Sequence, residues 1–480
     1  MTTPPRNGRA FDRAIVDGPI ARAVWKLAWP TMLQNVIAGL QGIVDHAMVG
    51  HLVGYTGNAA IGVSLQIFIV VIVFLSSLFT GMSVLVARFA GANEPDKVNR
   101  TVYQAFLASS VLCVGIFAPL GYALSPALLR VVNATAEVQA EALPYLRIML
   151  VFNFGMMLFF MLGAALRSAG DARTPLRFGL LLTVLNVVLN VIFIRGLGPI
   201  PAFGTAGAAI GSVLSGFLVS GIAVYLLLSG RLVVTWPRGM DWRPDWSIIR
   251  SLFRFGLPAG VQGIAMNVGG VLLLRYIGSL QQSAQAQAAY AVGYTELFSL
   301  ITWTSMGLMG AAATIAGQNL GANRPERVVR GVHVAAGLGL GVAAIVGSLF
   351  LTIPDRLLAL FGMENPDVVG IGTQLLAYLS LSGLFITVAL TYTGALQGTG
   401  DTRSPLYISI VSQLAIPLGL CAILDATRGL RPADIWLAIV LGHGARCILS
   451  VLRFHQEKWR GIEVDIKPAV GSAPPRSSSG

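Results

Sequence analysis

Two acidic residues in this sequence stand inside long apolar stretches, where a charge is least expected. Asp45 lies 18 residues beyond Leu27, and Glu296 lies ten residues beyond Ala286. Placing an ionisable side chain in the apolar core of a membrane costs on the order of 3 kcal/mol, so such residues usually have a function. A carboxyl group in this setting can take up and release a proton, or bind Na⁺ where other oxygen atoms lie beside it.

Polar residues that could accompany Asp45 occur in two later apolar stretches. Asn186 and Asn190 are four residues apart and therefore share one face of a helix, and Ser212 follows in the next stretch. We expect these three side chains to hydrogen-bond with Asp45 and to tune its affinity for a cation. Hydrogen bonds that only hold neighbouring helices together, each worth about 0.6 kcal/mol, explain them equally well.

Glu296 has two aromatic neighbours, Tyr290 and Tyr294, on the same apolar stretch. We expect this group to contact a cationic substrate or to form a second cation site. The alternative is structural, with Glu296 in a salt bridge to Arg275 or to a neighbouring helix. No cofactor is expected, because the sequence has no Walker A motif for ATP.

The composition indicates which elements must position these residues. Hydrophobic residues make up 55% of the 480-residue chain and charged residues only 11%, whereas soluble domains carry about 25% charged residues. So few charges cannot cover a water-facing surface, which excludes a cytosolic enzyme, a secreted disulfide-bonded protein and a nucleic-acid-binding domain. We find no catalytic cluster, and His46 and His51 lack the third ligand that a metal site needs.

Twelve apolar segments are long enough to cross a bilayer, which requires about 20 residues in a helix. Their length and their lack of alternation argue against the strands of a β-barrel. The predicted fold is an all-α integral membrane protein with twelve transmembrane helices. The predicted segments are Trp25–Gly50, Asn58–Ala87, Thr101–Leu124, Ala142–Leu166, Pro175–Ile194, Thr205–Ser229, Ser251–Ile277, Ala286–Ala316, Val332–Thr352, Ile371–Leu396, Pro405–Leu424 and Asp434–Phe454.

The lysine and arginine residues predict the orientation of the helices. If the N-terminus lies in the cytoplasm, 25 of the 33 basic residues fall in cytoplasmic segments. Both termini are therefore expected in the cytoplasm, and the protein in the inner (plasma) membrane. The net charge of +12 reflects this orientation and not a nucleic-acid partner.

The second half of the chain repeats the first. Residues 165–175 match residues 395–405, and residues 91–95 match residues 321–325, both at an offset of 230. Because this period contains six helices, the halves form two pseudo-symmetric six-helix bundles, related by an axis along the membrane normal. The predicted parts are a cytoplasmic segment 1–24, the N-terminal bundle 25–229, a cytoplasmic linker 230–250, the C-terminal bundle 251–454 and a disordered cytoplasmic tail 455–480.

Each copy of the longer repeated loop contains an aspartate, Asp171 in the first half and Asp401 in the second. Gly170 and Gly400 are expected to end the preceding helices in the left-handed conformation, with the aspartates shaping the loops. The alternative is that the aspartates gate a transport path by pairing with nearby arginines.

Several motifs occur in an order that resembles one family of transporters. They are Leu27-Ala-Trp-Pro30, Ile43-Val-Asp45, the paired Gly-Asp-x-x-x-Pro loops, Leu185-Asn-Val-Val-Leu-Asn190 and Gly207-Ala-Ala-Ile-Gly-Ser212. Over about residues 20–455 the chain resembles the multidrug and toxic compound extrusion (MATE) transporters. The resemblance implies a cation-coupled antiporter that exports amphipathic, often cationic, organic compounds, with Asp45 as the coupling acid.

The sequence departs from the family pattern at three positions. Some members carry an aspartate where this chain has Asn190, and the sodium-linked branch carries acids where this chain has Met266 and Ile386. We therefore expect exchange for H⁺, with Na⁺ as the less favoured coupling ion. Glu296 could partly replace the missing acids of the C-terminal bundle.

A lipid-linked oligosaccharide flippase is the alternative function, because such proteins share the two-bundle architecture. They tend to have a strongly cationic central cavity, whereas Arg275 and Arg446 are the only basic residues that we expect inside. We rank export by alternating access of the two bundles first. The expected partners are drug-like small molecules and membrane lipid, with no nucleic acid, and the protein is expected to be monomeric.

Overall fold

The computed structural model describes residues 10–132, 134–237 and 239–464 of the chain. Within these residues the secondary structure is helical, apart from one isolated bridge between Leu197 and Ile200. The predicted all-α fold class is confirmed. Residues 1–9 of the predicted N-terminal segment and residues 465–480 of the predicted tail lie outside the described residues.

Twelve long helices form the body of the described structure, and each overlaps one predicted segment. The fourth consists of two parts that meet at an angle of 50°. The helices are α1 (Ile20–Leu52), α2 (Tyr55–Gly91), α3 (Pro95–Val131), α4 (Ala136–Val151 and Phe154–Ser168), α5 (Arg173–Arg195), α6 (Gly204–Leu228), α7 (Trp246–Gly278), α8 (Ser283–Gly321), α9 (Pro325–Thr352), α10 (Pro366–Thr399), α11 (Arg403–Arg428) and α12 (Pro432–His455).

The first helix differs from the others in its apolarity. Ten of the helices in the described residues are long and apolar enough to cross a membrane, and the bent α4 makes eleven. Although α1 has 33 residues, Gln34, Asn35, Gln41 and Asp45 interrupt its apolar surface. The helix that fails this test of apolarity is therefore the one that carries Asp45.

The two halves cross each other at a pair of equivalent glycines. A Cβ at Gly91 of α2 would lie 1.9 Å from the carbonyl oxygen of Gln318 in α8, and a Cβ at Gly321 would lie 2.0 Å from the carbonyl oxygen of Arg88 in α2. Both pairs are related by the offset of 230 residues, and only glycine allows helix backbones to approach so closely. This reciprocal contact agrees with the pseudo-two-fold relation of the two bundles.

The bundles pack tightly at the end of the molecule where α1 begins and α12 ends, which we call the terminal end. A Cβ at Gly256 of α7 would lie 2.3 Å from the carbonyl oxygen of Ser77 in α2, and one at Gly307 of α8 would lie 2.7 Å from Cα of Met32 in α1. Toward the opposite end, the far end, residues of α2, α3 and α7 line an apolar cavity of about 880 Å³. The closest packing between the bundles therefore lies at the terminal end.

Residues 10–19 and 457–464, the terminal segments, cover the terminal end. Arg327 of α9 donates a hydrogen bond to the carbonyl oxygen of Gly18 at 2.7 Å, and a Cβ at Gly170, after α4, would lie 2.7 Å from Cδ1 of Ile15. Arg88 of α2 donates to the carbonyl oxygen of Ile462 at 2.6 Å. The prediction of a disordered tail from residue 455 is wrong for residues 455–464, because Trp459 is fully buried there.

The two copies of the longer repeated loop share their backbone but not all of their contacts. Gly170 and Gly400 have φ angles of +100° and +99°. The carboxylates of Asp171 and Asp401 accept hydrogen bonds from the backbone N–H of Thr174 at 3.0 Å and Ser404 at 3.1 Å, so both aspartates shape their loops. Arg453 of α12 also donates two hydrogen bonds to Asp401, at 2.9 and 2.8 Å.

Candidate functional site

Asp45 lies in the far half of α1, half-buried inside the N-terminal bundle. The side-chain nitrogen of Asn190 in α5 donates a hydrogen bond to Oδ1 of Asp45 at 2.9 Å. Among the described residues, no hydrogen bond reaches Oδ2 of this carboxylate. One carboxylate oxygen is therefore fixed by the protein, and the other is available to a proton or a cation.

A ladder of amide groups continues from Asp45 to α6. The same Asn190 nitrogen also donates to Oδ1 of Asn186 at 3.2 Å, and Asn186 donates to the hydroxyl oxygen of Ser212 at 2.9 Å. Asn186 and Asn190 are 0% and 1% exposed, so these hydrogen bonds form away from water. The structure brings together the four residues that the sequence grouped as a cation site.

Gly211 of α6 makes room for the ladder. A Cβ at this position would lie 2.1 Å from Oδ1 of Asn190. That oxygen is buried and has no hydrogen-bond partner within the described residues. It is therefore a buried acceptor whose hydrogen-bonding capacity the described residues leave unused.

A cavity of about 310 Å³, the N-bundle cavity, extends from Asp45 toward the terminal end. Its polar lining includes Gln34, Gln41, Thr183 and Arg167. Thr183 donates a hydrogen bond to the side-chain oxygen of Gln41 at 2.8 Å, and Arg167 donates to that of Gln34 at 3.3 Å. This lining gives the carboxylate a polar path along α1.

Sequence reasoning did not assign Gln34, Gln41, Thr183 or Arg167 to the site. A signal was present for two of them, because Gln34, Gln41 and Asp45 stand at positions i, i+7 and i+11 and so share one face of α1. No comparable spacing pointed to Arg167, which the positive-inside pattern counted as a cytoplasmic residue.

Glu296 lies in a π-helical stretch of α8, Ala291–Leu297, and is half-buried. Among the described residues its carboxylate forms no hydrogen bond and no ion pair. Arg275, the expected structural partner, lines a cavity of about 450 Å³ together with Asp425, so the alternative of a Glu296–Arg275 salt bridge is wrong. A π-helical stretch inside an α-helix is common at functional sites, but sequence periodicity does not reveal it.

Tyr290 and Tyr294 are held by other aromatic rings. Their rings stack on each other at 4.9 Å, and Tyr290 also stacks on Trp436 of α12 at 6.2 Å. Neither hydroxyl group hydrogen-bonds with Glu296 within the described structure. The two tyrosines therefore belong to the packed interior of the C-terminal bundle, and the structure does not gather them around the Glu296 carboxylate.

The interior of the C-terminal bundle carries a positive charge. Arg446 of α12 is 1% exposed, and its Nη1 contacts the sulfur of Met266 at 3.8 Å. Its Nε has no hydrogen-bond partner, and no carboxylate pairs with it in the described residues. Nearby in this bundle, His443 and Ser382 share a hydrogen bond of 2.5 Å.

One family model matches each half of the chain separately. The family model MatE matches residues 30–192 and again residues 258–423. The probable multidrug resistance protein NorM of Thermotoga maritima is 28% identical over 442 residues, which cover 92% of this chain and 93% of that protein. The multidrug resistance protein MdtK of Pectobacterium atrosepticum is 25% identical over 446 residues, covering 90% and 94%.

Solved structures show the same fold. An outward-facing conformation of a multidrug resistance MATE family transporter superposes with a TM-score of 0.84 at 22% identity, covering 94% of this chain and 98% of that one. A crystal structure of MATE in complex with MaL6 gives a TM-score of 0.85 at 22% identity, covering 92% and 97%. These matches confirm the twelve-helix, two-bundle architecture.

Proposed function

The chain belongs to the MatE family of multidrug efflux transporters, and from this premise we propose that it exports amphipathic, often cationic, organic compounds in exchange for protons. The observation that carries the proposal is Asp45, held by one oxygen at the head of a buried amide ladder. Its other oxygen has no protein partner among the described residues, and it lines a polar cavity. A carboxylate in this position can bind and release a proton during each cycle.

The ladder links the charge of Asp45 to the packing of the helices. The ionised carboxylate accepts a charge-assisted hydrogen bond from Asn190, which is roughly twice as strong as a bond between neutral groups. Protonation removes the charge and weakens this connection between α1 and α5. Because α1 also contributes Met32 to the contact with Gly307 of α8, a movement of α1 reaches the interface between the bundles.

The conformation supports an alternating-access cycle. With both termini in the cytoplasm, the tightly packed terminal end faces inward and the cavity between α2 and α7 lies toward the outside. We assign the structure to a state that releases substrate outward. Rocking of one bundle against the other gives the opposite state.

Protons fit the site better than sodium ions do. Asp45 is the only carboxylate of the ladder, because its hydrogen-bond partner on α5, Asn190, is neutral. In the C-terminal bundle, the positions where the sodium-linked branch carries acids are Met266 and Ile386, and Arg446 contacts Met266. A sodium ion would find one carboxylate in the first bundle and a guanidinium in the second.

Everted membrane vesicles test the proposal directly. Addition of a cationic dye should release protons from vesicles that hold a pH gradient, with and without Na⁺, and Asp45→Asn should abolish this release while the protein is still produced. Asp425→Asn is the matched control, since Asp425 lies in the cavity with Arg275. Near-normal release by the Asp45 variant, or a strict need for Na⁺, contradicts the proposal.

A further inference from the structure

A second polar cavity of about 260 Å³, the inter-bundle cavity, lies at the terminal end between the two bundles. The N-terminal bundle contributes Thr80, Ser83 and Arg167 to its wall, and the C-terminal bundle contributes Thr314 and Gln397. Hydroxyl and amide groups surround a single charged group, the guanidinium of Arg167. Any molecule bound here contacts both bundles at once.

Arg167 has far more hydrogen-bonding capacity than the protein uses. A guanidinium carries five N–H donors, and the hydrogen bond that this group donates within the described structure is the one to Gln34 at 3.3 Å. No carboxylate lies within ion-pair distance of it in residues 10–132, 134–237 and 239–464. Gly163 leaves space beside Nη1, because a Cβ there would lie 3.2 Å away.

Arg167 also lies between two cavities of different polarity. It lines both the N-bundle cavity, which contains Asp45, and the inter-bundle cavity, which contains no acid among its lining residues. A partly desolvated guanidinium without a counter-ion is unfavourable, and an anionic group restores the missing interactions. The chemistry of the inter-bundle cavity therefore favours an anion.

The shape of the cavity indicates how much of a ligand it could hold. Pockets for drug-sized molecules have volumes of about 300–1,000 Å³, more than this cavity offers. Phe79, Phe160 and Met309 supply apolar wall next to the polar groups. The cavity suits the carboxylate-bearing end of an amphipathic molecule whose remainder extends between the bundles.

We propose that the inter-bundle cavity is a subsite for the carboxylate of substrates that carry both a cationic group and a carboxylate, with Arg167 as the anion-binding residue. The proposal rests on the proposed export function for its class of ligand. A carboxylate held by Arg167, with Thr314 and Gln397 opposite, also stabilises the packed terminal end.

A pair of dyes that differ only in the carboxylate tests this subsite. Rhodamine B carries a free carboxylate and a cationic ring system, and its ethyl ester keeps the ring system but lacks the anion. Equilibrium binding to the purified full chain is measured by fluorescence anisotropy in chloride-free buffer at one pH. Arg167→Gln should weaken binding of the free acid about tenfold or more, the effect of losing one charge-assisted pair, while ester binding changes less than twofold.

Two further variants make the result specific. Arg167→Lys keeps the positive charge but loses the planar set of N–H donors. Its affinity for the free acid should lie between those of the wild-type protein and Arg167→Gln. Arg173→Gln removes an exposed arginine at the start of α5 and should bind both dyes normally. Unchanged ester binding by Arg167→Gln also shows that this variant is folded.

The proposal is overturned if Arg167→Gln weakens both dyes equally or neither, or if the wild-type protein does not bind the free acid. These outcomes are separate from failure of the coupling mechanism, because equilibrium binding at constant pH needs no proton exchange. Asp45→Asn should leave the difference between acid and ester intact. Loss of that difference in Asp45→Asn would assign the effect to Asp45 instead.

Discussion

The interiors of the two bundles share a scaffold but carry different ionisable residues. In the N-terminal bundle, Asp45 stands at the head of an amide ladder beside a polar cavity. In the C-terminal bundle, Arg446 is buried against Met266. The position equivalent to Asp45 at an offset of 228 is Leu273, and the position equivalent to Arg446 at an offset of 230 is Gly216.

This difference shows which parts of the repeat are constrained by the fold and which by chemistry. The crossing glycines and the left-handed loop glycines occur in both halves, because both bundles need the same backbone contacts. Asp45 and Arg446, in contrast, have no ionisable equivalent in the other half. The proposed proton exchange therefore resides in the N-terminal bundle alone, and the following experiments break or sharpen this comparison.

The largest effect is expected from Gly211→Ala. The new methyl group would lie 2.1 Å from Oδ1 of Asn190, so the ladder must move away from Asp45 and export should fall at least 100-fold. Gly221→Ala in the same helix is the control, since a Cβ there has no neighbour within 4 Å. The export rate of a fluorescent dye from cells is compared for both variants at equal protein levels. Normal export by Gly211→Ala would show that export does not depend on the ladder.

The crossing of α2 and α8 should be equally sensitive from either side. Gly91→Ala and Gly321→Ala each place a methyl group about 2 Å from a backbone carbonyl oxygen, which forces a backbone shift that costs roughly 1–3 kcal/mol. We expect similar losses of thermal stability in detergent for the two variants. A large effect on one side and none on the other contradicts the reciprocal crossing.

The repeated loops should respond unequally to loss of their aspartates. Asp401→Asn removes the charge partner of Arg453 as well as a loop acceptor, and should cost about 1–3 kcal/mol of stability. Asp171→Asn alters the loop alone and should cost about 1 kcal/mol or less. Thermal midpoints of the two purified variants measure the difference, and equal shifts would show that the arginine pair contributes nothing.

The smallest effect on coupling is expected from Arg446→Leu. Replacing a buried charge that has no acidic partner with an apolar side chain is often neutral or stabilising. Proton release during export should keep its stoichiometry, and the thermal midpoint should stay the same or rise. A changed number of protons per substrate would place part of the coupling in the C-terminal bundle.

The sequence predicted what depends on periodicity along one helix. Twelve spans follow from apolar length, and the face shared by Asn186 and Asn190 follows from their spacing of four residues. Their contact with Asp45 was expected because all three residues belong to the same predicted six-helix bundle. The two-fold relation followed from motifs at one constant offset.

Most contacts between helices were not predictable. Arg167 counts as an ordinary cytoplasmic arginine until the structure shows that it lines two cavities. Glu296 looks like a buried acid with tyrosine neighbours, but it lies in a π-helical stretch, and Tyr290 stacks on Trp436 of α12 and not around its carboxylate. Residues 457–464 have a polar composition, and only the burial of Trp459 shows that they are ordered.

The terminal segments have a consequence for the transport cycle. Ile15 fits against Gly170 of one bundle while its neighbours are held by Arg324 and Arg327 of the other. In the proposed cycle, the terminal end cannot widen while the segment around Ile15 holds both bundles together, so this segment must detach whenever the terminal end opens. A short stretch of chain outside the twelve long helices would then help to set how long the transporter rests with its terminal end closed.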